Sequence, residues 1–147
     1  MIEIQKMQTA HVAQIAALEQ QCFSDPWSAN SVASELENPL SLWLVALDGE
    51  TVAGYVGSQA VLGEADMMNL AVHPDYRRCG VAQKLVSALL QELAHCGNYS
   101  LTLEVRASNE PAKALYEKLG FQQVGVRPRY YEKPREDALI LKKEWKL

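Results

Sequence analysis

The sequence predicts a mixed α/β fold of α+β character, in which the elements follow the order β-α-α-β-β-β-α-β-α-β-β. Short apolar or alternating runs, typical of strands, are interleaved with segments of helical periodicity. Asp48-Gly49 between two apolar runs indicates a β-hairpin, and the apolar residues from Val81 to Leu93 recur at helical spacing. Because 147 residues suffice for one core and are too few for two, we expect a single domain spanning residues 1–147.

The first half of the chain is predicted to contain four strands and two helices. Ile2 and Ile4 alternate with polar residues as in a short strand. Thr9 and Ser28 are suited to cap two helices, and Pro39 prevents the second helix from continuing. The predicted strands of this half lie at about 2–4, 42–47, 51–56 and 65–72.

The second half is predicted to contain two helices and three strands. The first helix follows residue 80, and its apolar face contains Val81, Leu85, Leu89 and Leu93. A strand at 101–105 comes next. Asn109 can cap a helix over 110–119, which Gly120 is suited to end. Two strands at 121–129 and 137–141 complete a terminal hairpin.

The composition is that of a water-soluble globular protein, with 48% hydrophobic and 22% charged residues. No apolar run has the length of a membrane span and the N-terminus does not resemble a secretory signal, so we expect a cytoplasmic protein without membrane contact. The net charge of −4 argues against general nucleic-acid binding, although it would attract a basic peptide. Cys22, Cys79 and Cys96 form no Cys-x-x-Cys pair and the histidines lack metal-ligand spacing, so neither disulfides nor a metal is expected.

A basic turn between the apolar run 67–72 and the strongest helix predicts an anion site. The unpaired N–H groups and the dipole of a helix N-terminus favour negative charge. Arg77 and Arg78 add positive charge there, and Gly80 lets the backbone approach a ligand closely. The motifs of Walker loops and dinucleotide-binding folds are absent from this sequence. The alternative is a solvated turn with two surface arginines.

The loop Arg77-x-x-Gly80-x-Ala82 and several further segments resemble motifs of the GNAT family of N-acetyltransferases and, within it, of the RimI branch of ribosomal-protein-alanine N-acetyltransferases. Arg77-x-x-Gly80-x-Ala82 is similar to the loop with which GNAT enzymes hold the pyrophosphate of acetyl-CoA, and 114–121 is similar to their helix motif. The segments similar to the RimI branch are 103–109, 26–27, 130–131 and 136–138. The resemblance implies a twisted mixed sheet of six to seven strands with about four helices, open between the fourth and fifth strands, where acetyl-CoA lies.

The resemblance also implies which residues contact the co-substrate. In the family, the backbone before the loop pairs with the pantetheine arm, and loop N–H groups hold the pyrophosphate. Carried over position by position, these contacts fall on Leu70, Ala71, Val72, Arg78, Cys79, Gly80, Val81, Ala82 and Gln83, with Asn109 and Tyr116 of the helix motif beside them. Cys79 and Ala82 depart from the commoner residues of the loop, but neither change removes a backbone donor.

Glu104 and Tyr116 are the candidate catalytic residues. Glu104 stands in an otherwise apolar strand, where a carboxylate is a stronger base, and the matching Glu of RimI enzymes accepts the proton. Its alternative is a solvated position, paired with Arg106 or a neighbour. The resemblance assigns Tyr116 the role of general acid toward the departing thiolate; its alternative is a core tyrosine. Asn109 can be both a helix cap and a ligand contact.

An α-amine at the N-terminus of a protein is the expected acceptor. About one-tenth of α-amines are neutral at pH 7, against about four in ten thousand lysine amines. By resemblance, the acceptor is the N-terminal alanine of a small-subunit ribosomal protein, and Trp27, Tyr130 and Tyr131 flank it. Core or cross-strand packing is the alternative for these aromatics. A GNAT enzyme for lysine or a small amine, and a non-catalytic acyl-CoA-binding module, remain as alternative functions.

Overall fold

A computed structural model describes residues 1–132 and 135–145, which form one seven-stranded sheet and four α-helices. The strands are β1 (Ile2–Lys6), β2 (Ser41–Asp48), β3 (Thr51–Val61), β4 (Glu64–Val72), β5 (Ser100–Arg106), β6 (Gln122–Glu132) and β7 (Arg135–Glu144). The helices are α1 (Val12–Cys22), α2 (Ala29–Ser34), α3 (Val81–His95) and α4 (Glu110–Lys118). The predicted order of elements and the mixed α/β fold class are confirmed. The described part contains no helix long and apolar enough to cross a membrane.

The sheet has the strand order β1-β2-β3-β4-β5-β7-β6 and opens between β4 and β5. These two strands run parallel, whereas the other neighbours are antiparallel. Within the described residues, the parallel pairing joins Glu64–Asp66 to Ser100–Thr102 and ends there. The register between β3 and β4 shifts beside this point and leaves Met68 as an extra residue in β4, a bulge of the kind that bends a strand. The gap expected between the fourth and fifth strands is therefore present.

Helices α3 and α4 pack on one face of the sheet, and α1 and α2 pack on the other. The core under α3 includes Leu101, Leu103 and Val105 of β5. Because successive side chains of a strand point to opposite faces, Glu104 lies on the α1 face. The strand residues of the core under α1 come from β2, β3 and β4. Glu104 therefore lies beyond the part of the α1 face that this core covers.

The ends of the elements show which local signals are reliable. Ser28 caps α2 by accepting the Ser31 N–H at 3.1 Å, and Asn109 caps α4 by accepting the Ala112 N–H at 3.2 Å, as predicted. The cap predicted at Thr9 is wrong. Thr9 begins a single 3-10 turn before α1, and the ring of His11 accepts the Gln8 N–H there. The capping bond of this segment thus comes from the side chain of the last residue of the turn.

Candidate active site

The loop between β4 and α3 has a backbone that exposes a helix N-terminus. Arg78 and Gly80 both have left-handed backbones, with φ of 64° and 77°, and α3 begins directly afterwards at Val81. Glycine adopts this conformation without strain, whereas an L side chain at Gly80 would be strained even though its Cβ would meet no atom within 4 Å. The loop thereby places the free N–H groups of the first turn of α3 beside two arginines, a combination suited to bind an anion.

A cavity of about 290 Å³ lies against this loop. Its lining contains five of the six residues predicted to hold the pyrophosphate, together with the last residue of β4: Arg78, Gly80, Val81, Ala82, Gln83 and Val72. The sixth, Cys79, is exposed, and its Sγ lies 3.6 Å from the Arg77 carbonyl oxygen. Five of the residues predicted to hold a pyrophosphate therefore line one cavity.

The three residues predicted to pair with the pantetheine arm do not all direct their backbone groups to the same side of β4. β3 pairs Gly54 with Val72, and the His73 N–H donates to the Ala53 carbonyl at 2.7 Å. Backbone groups in a strand point alternately to its two sides, so Ala71 directs its N–H and C=O to β3, as His73 does. The backbone groups of Leu70 and Val72 point into the gap. Of the three residues predicted to pair with the pantetheine arm, two therefore have backbone groups directed into the gap, and Ala71 does not.

Tyr116 lies where β4 departs from β5. Its side chain belongs to the core under α3, and its hydroxyl is 3.8 Å from the Sδ of Met67, the residue after the last β4 residue that pairs with β5. Burial, and secondarily the phenol of Tyr131, raises the pKa of Tyr116 to about 12. The hydroxyl therefore keeps its proton at neutral pH. This is the state that a general acid requires.

Glu104 lies on the other face of the sheet at the same opening. Its side chain is 28% exposed, and its Oε1 lies 3.3 Å from the Nε of Arg127 in β6. Its Oε2 is buried and has no hydrogen-bond partner within residues 1–132 and 135–145. Of the pairings considered from the sequence, with Arg106 or with a neighbour, the structure shows a neighbour, Arg127, whereas Arg106 lies 3.2 Å from Glu136. Glu104 therefore has one oxygen paired with Arg127 and one buried oxygen.

Tyr130 and Tyr131 border the carboxylate. Their rings meet edge to face at 5.1 Å, and the guanidinium of Arg106 lies 4.2 Å above the Tyr131 ring. The charge of Glu104 is the main cause of the raised pKa of Tyr130. Burial first, and then Glu104, raises the pKa of Tyr131 to about 12. The structure therefore brings the predicted tyrosine pair, the predicted base and Arg127 together.

Trp27 lies on the loop between α1 and α2. Its ring meets Trp43 edge to face at 5.3 Å and packs on the core under α1. Sequence reasoning missed what holds its backbone: the Trp27 N–H donates to Glu19 Oε1 at 2.8 Å. Glu19 is fully buried, four residues after the buried Ile15. A charged residue at a core-facing position of the helix was the signal that could have revealed it.

The comparisons with known proteins identify the family of the chain. A model of the acetyltransferase (GNAT) family matches residues 12–121. The chain therefore belongs to the GNAT family of acetyltransferases, and the predicted co-substrate, acetyl-CoA, is confirmed as the family's acetyl donor. The described residues contain no group of three or more His, Cys, Asp or Glu able to hold a metal.

Relatives with closer similarity define the branch. The ribosomal protein bS18-alanine N-acetyltransferase of Escherichia coli K12 is 38% identical over 94% of this chain and 94% of its own length. The enzyme of the same name from Salmonella typhimurium is 41% identical over 84% of each chain. The crystal structure of the Escherichia coli ribosomal-protein-S18-alanine N-acetyltransferase matches with a TM-score of 0.91 and 36% identity, covering 100% of this chain and 96% of that one. The RimI branch predicted from the sequence is thereby confirmed.

Proposed function

We propose that this protein, acting as a single catalytic domain, transfers the acetyl group of acetyl-CoA to the N-terminal α-amine of a protein. The acceptor we propose is the N-terminal alanine of ribosomal protein bS18, the substrate in the names of its relatives. One observation carries the proposal: the sheet opens between β4 and β5 with a carboxylate on one face and a protonated phenol on the other. A ribosomal protein as substrate would place the reaction in the cytoplasm.

The coenzyme would bind along β4 and the loop after it. The N–H groups at the start of α3 and the guanidinium of Arg78 would hold the pyrophosphate in the cavity beside the loop. Backbone groups of Leu70 and Val72 would pair with the pantetheine arm. Fixed N–H dipoles at the thioester carbonyl would stabilise the oxyanion that develops there. Asn109 lies exposed at the start of α4, where its side chain already accepts one bond.

The α-ammonium of the acceptor first gives a proton to Glu104, directly or through a water, and the neutral amine attacks the thioester carbonyl. The C–S bond breaks as the intermediate collapses, and the thiolate of CoA takes the hydroxyl proton of Tyr116. The acetylated nitrogen then loses its second proton, which returns through water to the Tyr116 phenolate, and Glu104 gives its proton to solvent. The unpartnered Oε2 of Glu104 supports the first of these transfers, and the position of the Tyr116 hydroxyl beside Met67 at the opening supports proton donation to the thiolate.

An α-amine suits this site better than a lysine amine. About one-tenth of α-amines are neutral at pH 7, against about four in ten thousand lysine amines, so a smaller share of the acceptor depends on the base for deprotonation. Trp27, Tyr130 and Tyr131 would flank the acceptor. Trp27 lies on the loop beside the α1 face, and the two tyrosines lie on the side of β5 away from that loop.

The test is an acetyl-transfer assay with an alanine-initiated bS18 peptide, either free or blocked at its N-terminus, followed by thiol release and mass spectrometry. We expect acetylation of the free peptide alone. We expect Glu104→Gln and Tyr116→Phe to lower kcat about 100-fold, while Glu64→Gln, at the closed end of the sheet opening, changes it little. Acetylation of the blocked peptide would indicate a lysine acceptor. No turnover on any amine would favour the binding module.

A further inference from the structure

Glu19 is a buried carboxylate for which the proposed chemistry has no use. Both of its oxygens accept from the side-chain amide of Asn69, at 3.0 and 2.8 Å. Oε1 also accepts the backbone N–H of Trp27, and Oε2 bonds the hydroxyl of Tyr55. Glu19 therefore joins helix α1 to the loop before α2, to β3 and to β4.

The partners of Glu19 lie beside the opening of the sheet. Asn69 follows the bulge residue Met68 and precedes Leu70, whose backbone groups point into the gap. Trp27 lies on the face of the sheet that carries Glu104. Glu19 thus connects the loop that would border the acceptor to the part of β4 that would border the thioester.

We propose that Glu19 is a positioning residue for the acceptor: it holds the Trp27 loop at a fixed distance from β4, so that a peptide N-terminus can reach Glu104. This inference rests on the proposed function. All three partners can donate to the carboxylate, so the site requires an acceptor with two free oxygens. Glutamine in this place has one acceptor oxygen, and its NH₂ group would face other donors, so the loop would shift.

Glu35 provides a matched control on the same face. It is also buried, and its carboxylate accepts from Trp43 Nε1 at 3.2 Å and from Gln59 Nε2 at 2.8 Å. Gln59 pairs with Asp66, at the closed end of β4. Replacing Glu35 therefore disturbs a buried carboxylate of the same kind that bonds none of the three partners of Glu19; its partner Trp43 touches the Trp27 ring, but the bond that holds the Trp27 backbone stays in place.

The experiment compares the full chain with its Glu19→Gln and Glu35→Gln variants. Steady-state kinetics with an alanine-initiated bS18 peptide give KM and kcat, and calorimetry gives Kd for acetyl-CoA. We expect Glu19→Gln to raise the peptide KM about tenfold or more, because bonds to a buried charged group are lost. We expect Kd for acetyl-CoA to change by about twofold at most, since the pyrophosphate loop supplies most of that binding. Glu35→Gln should lower Tm and leave both constants within about twofold.

Asn69→Ala provides a second variant if Glu19→Gln does not fold. Asn69 is half-buried, and its truncation removes two bonds to Glu19 while leaving the carboxylate in place. We expect a rise in peptide KM that is smaller than for Glu19→Gln. An unchanged peptide KM in a folded variant, or an equal rise in Glu35→Gln, overturns the inference alone. Failure of the unmodified protein to acetylate any α-amino peptide overturns the proposed function and this inference with it.

Discussion

Glu104 and Glu19 lie on the same face of the sheet, but their surroundings differ: those of Glu104 suit a base, and those of Glu19 suit a structural carboxylate. Glu104 keeps one oxygen without a partner in the described part of the chain, and a quarter of its side chain is exposed. Glu19 is fully enclosed, and both of its oxygens are engaged. A base must receive a proton from a substrate that arrives from solvent, whereas a carboxylate with all its acceptor positions filled mainly holds structure.

The pH dependence of stability should reveal the burial of Glu19. Desolvation by burial is the largest cause of the raised pKa of Glu19. It outweighs the hydrogen bonds from Trp27 and Asn69, which lower this pKa. A carboxyl group with a raised pKa in the folded state contributes stability below its unfolded pKa, and this contribution is lost as pH rises through the folded pKa. We expect the free energy of unfolding of the unmodified protein, relative to Glu19→Gln, to be largest near pH 4 and to fall toward neutrality. Urea titrations at several pH values measure it, and a difference that grows with pH would contradict it.

Residues whose role is local were predictable, and residues whose role depends on distant partners were not. Ser28, Asn109 and Gly80 act on backbone within a few residues of themselves, so their types and spacing sufficed. Glu19 accepts a hydrogen bond from Asn69, which lies 50 positions later in the sequence. Arg127 of β6 forms an ion pair with Glu104 of β5 because β7 pairs with both strands and brings them to the same side of the sheet. Such contacts are fixed by the order of strands, which periodicity along the chain does not encode.

Helix α3 allows the role of the coenzyme loop to be separated from the stability of the helix. It starts after Gly80 and is followed by Gly97, both glycines have left-handed backbones, and a Cβ on either would meet no atom within 4 Å. Alanine at either position should cost roughly 1–2 kcal/mol, because the left-handed conformation is strained for an L residue. We expect Gly80→Ala alone to weaken acetyl-CoA binding as well. Thermal unfolding and calorimetry on both variants test this, and equal Kd values for the two would contradict it.

The two ends of α3 also carry two exposed thiols. Cys79 lies in the coenzyme loop and Cys96 follows the end of the helix. We expect saturating acetyl-CoA to slow alkylation of Cys79 by iodoacetamide, because the pyrophosphate would cover the loop, and to leave Cys96 unaffected. Mass spectrometry of peptides gives both rates in one sample. If saturating acetyl-CoA left the alkylation rate of Cys79 unchanged, the coenzyme would not bind at this loop.

The elements themselves were predicted with unequal success. The spacing of the apolar residues from Val81 to Leu93 predicted α3 correctly, because an apolar face repeated at helical spacing over several turns fits a helix and not a strand. The start of α1 was wrong, because a 3-10 turn and a histidine ring replaced the expected threonine cap. The bulge at Met68 leaves no local signal in the sequence, since it arises from the register between two strands. The opening of the sheet was expected from the family resemblance alone.

At the scale of the whole molecule, the opening between β4 and β5 divides the sheet into two parts that share the core under α3. The core under α1 supports β2 to β4, and the core under α3 extends across the opening into β5. The proposed base lies on β5 and the proposed pantetheine contacts lie on β4, so the chemistry needs both parts at a fixed distance. The three residue pairs between β4 and β5, from Glu64 to Asp66, fix that distance at the closed end of the opening.

Amide hydrogen exchange can test whether the coenzyme occupies this opening. The Ala71 N–H is directed to β3 and should exchange slowly with or without a ligand. The N–H groups of Leu70 and Val72 are directed into the gap, so they should exchange faster in the free protein and slow when acetyl-CoA pairs with them. Exchange followed by NMR, with and without a saturating concentration of acetyl-CoA, resolves the three amides. Protection at Leu70 and Val72 without change at Ala71 is the expected pattern. Equal protection at all three would indicate a general rigidification of β4, and no protection at any would move the pantetheine arm to another part of the surface.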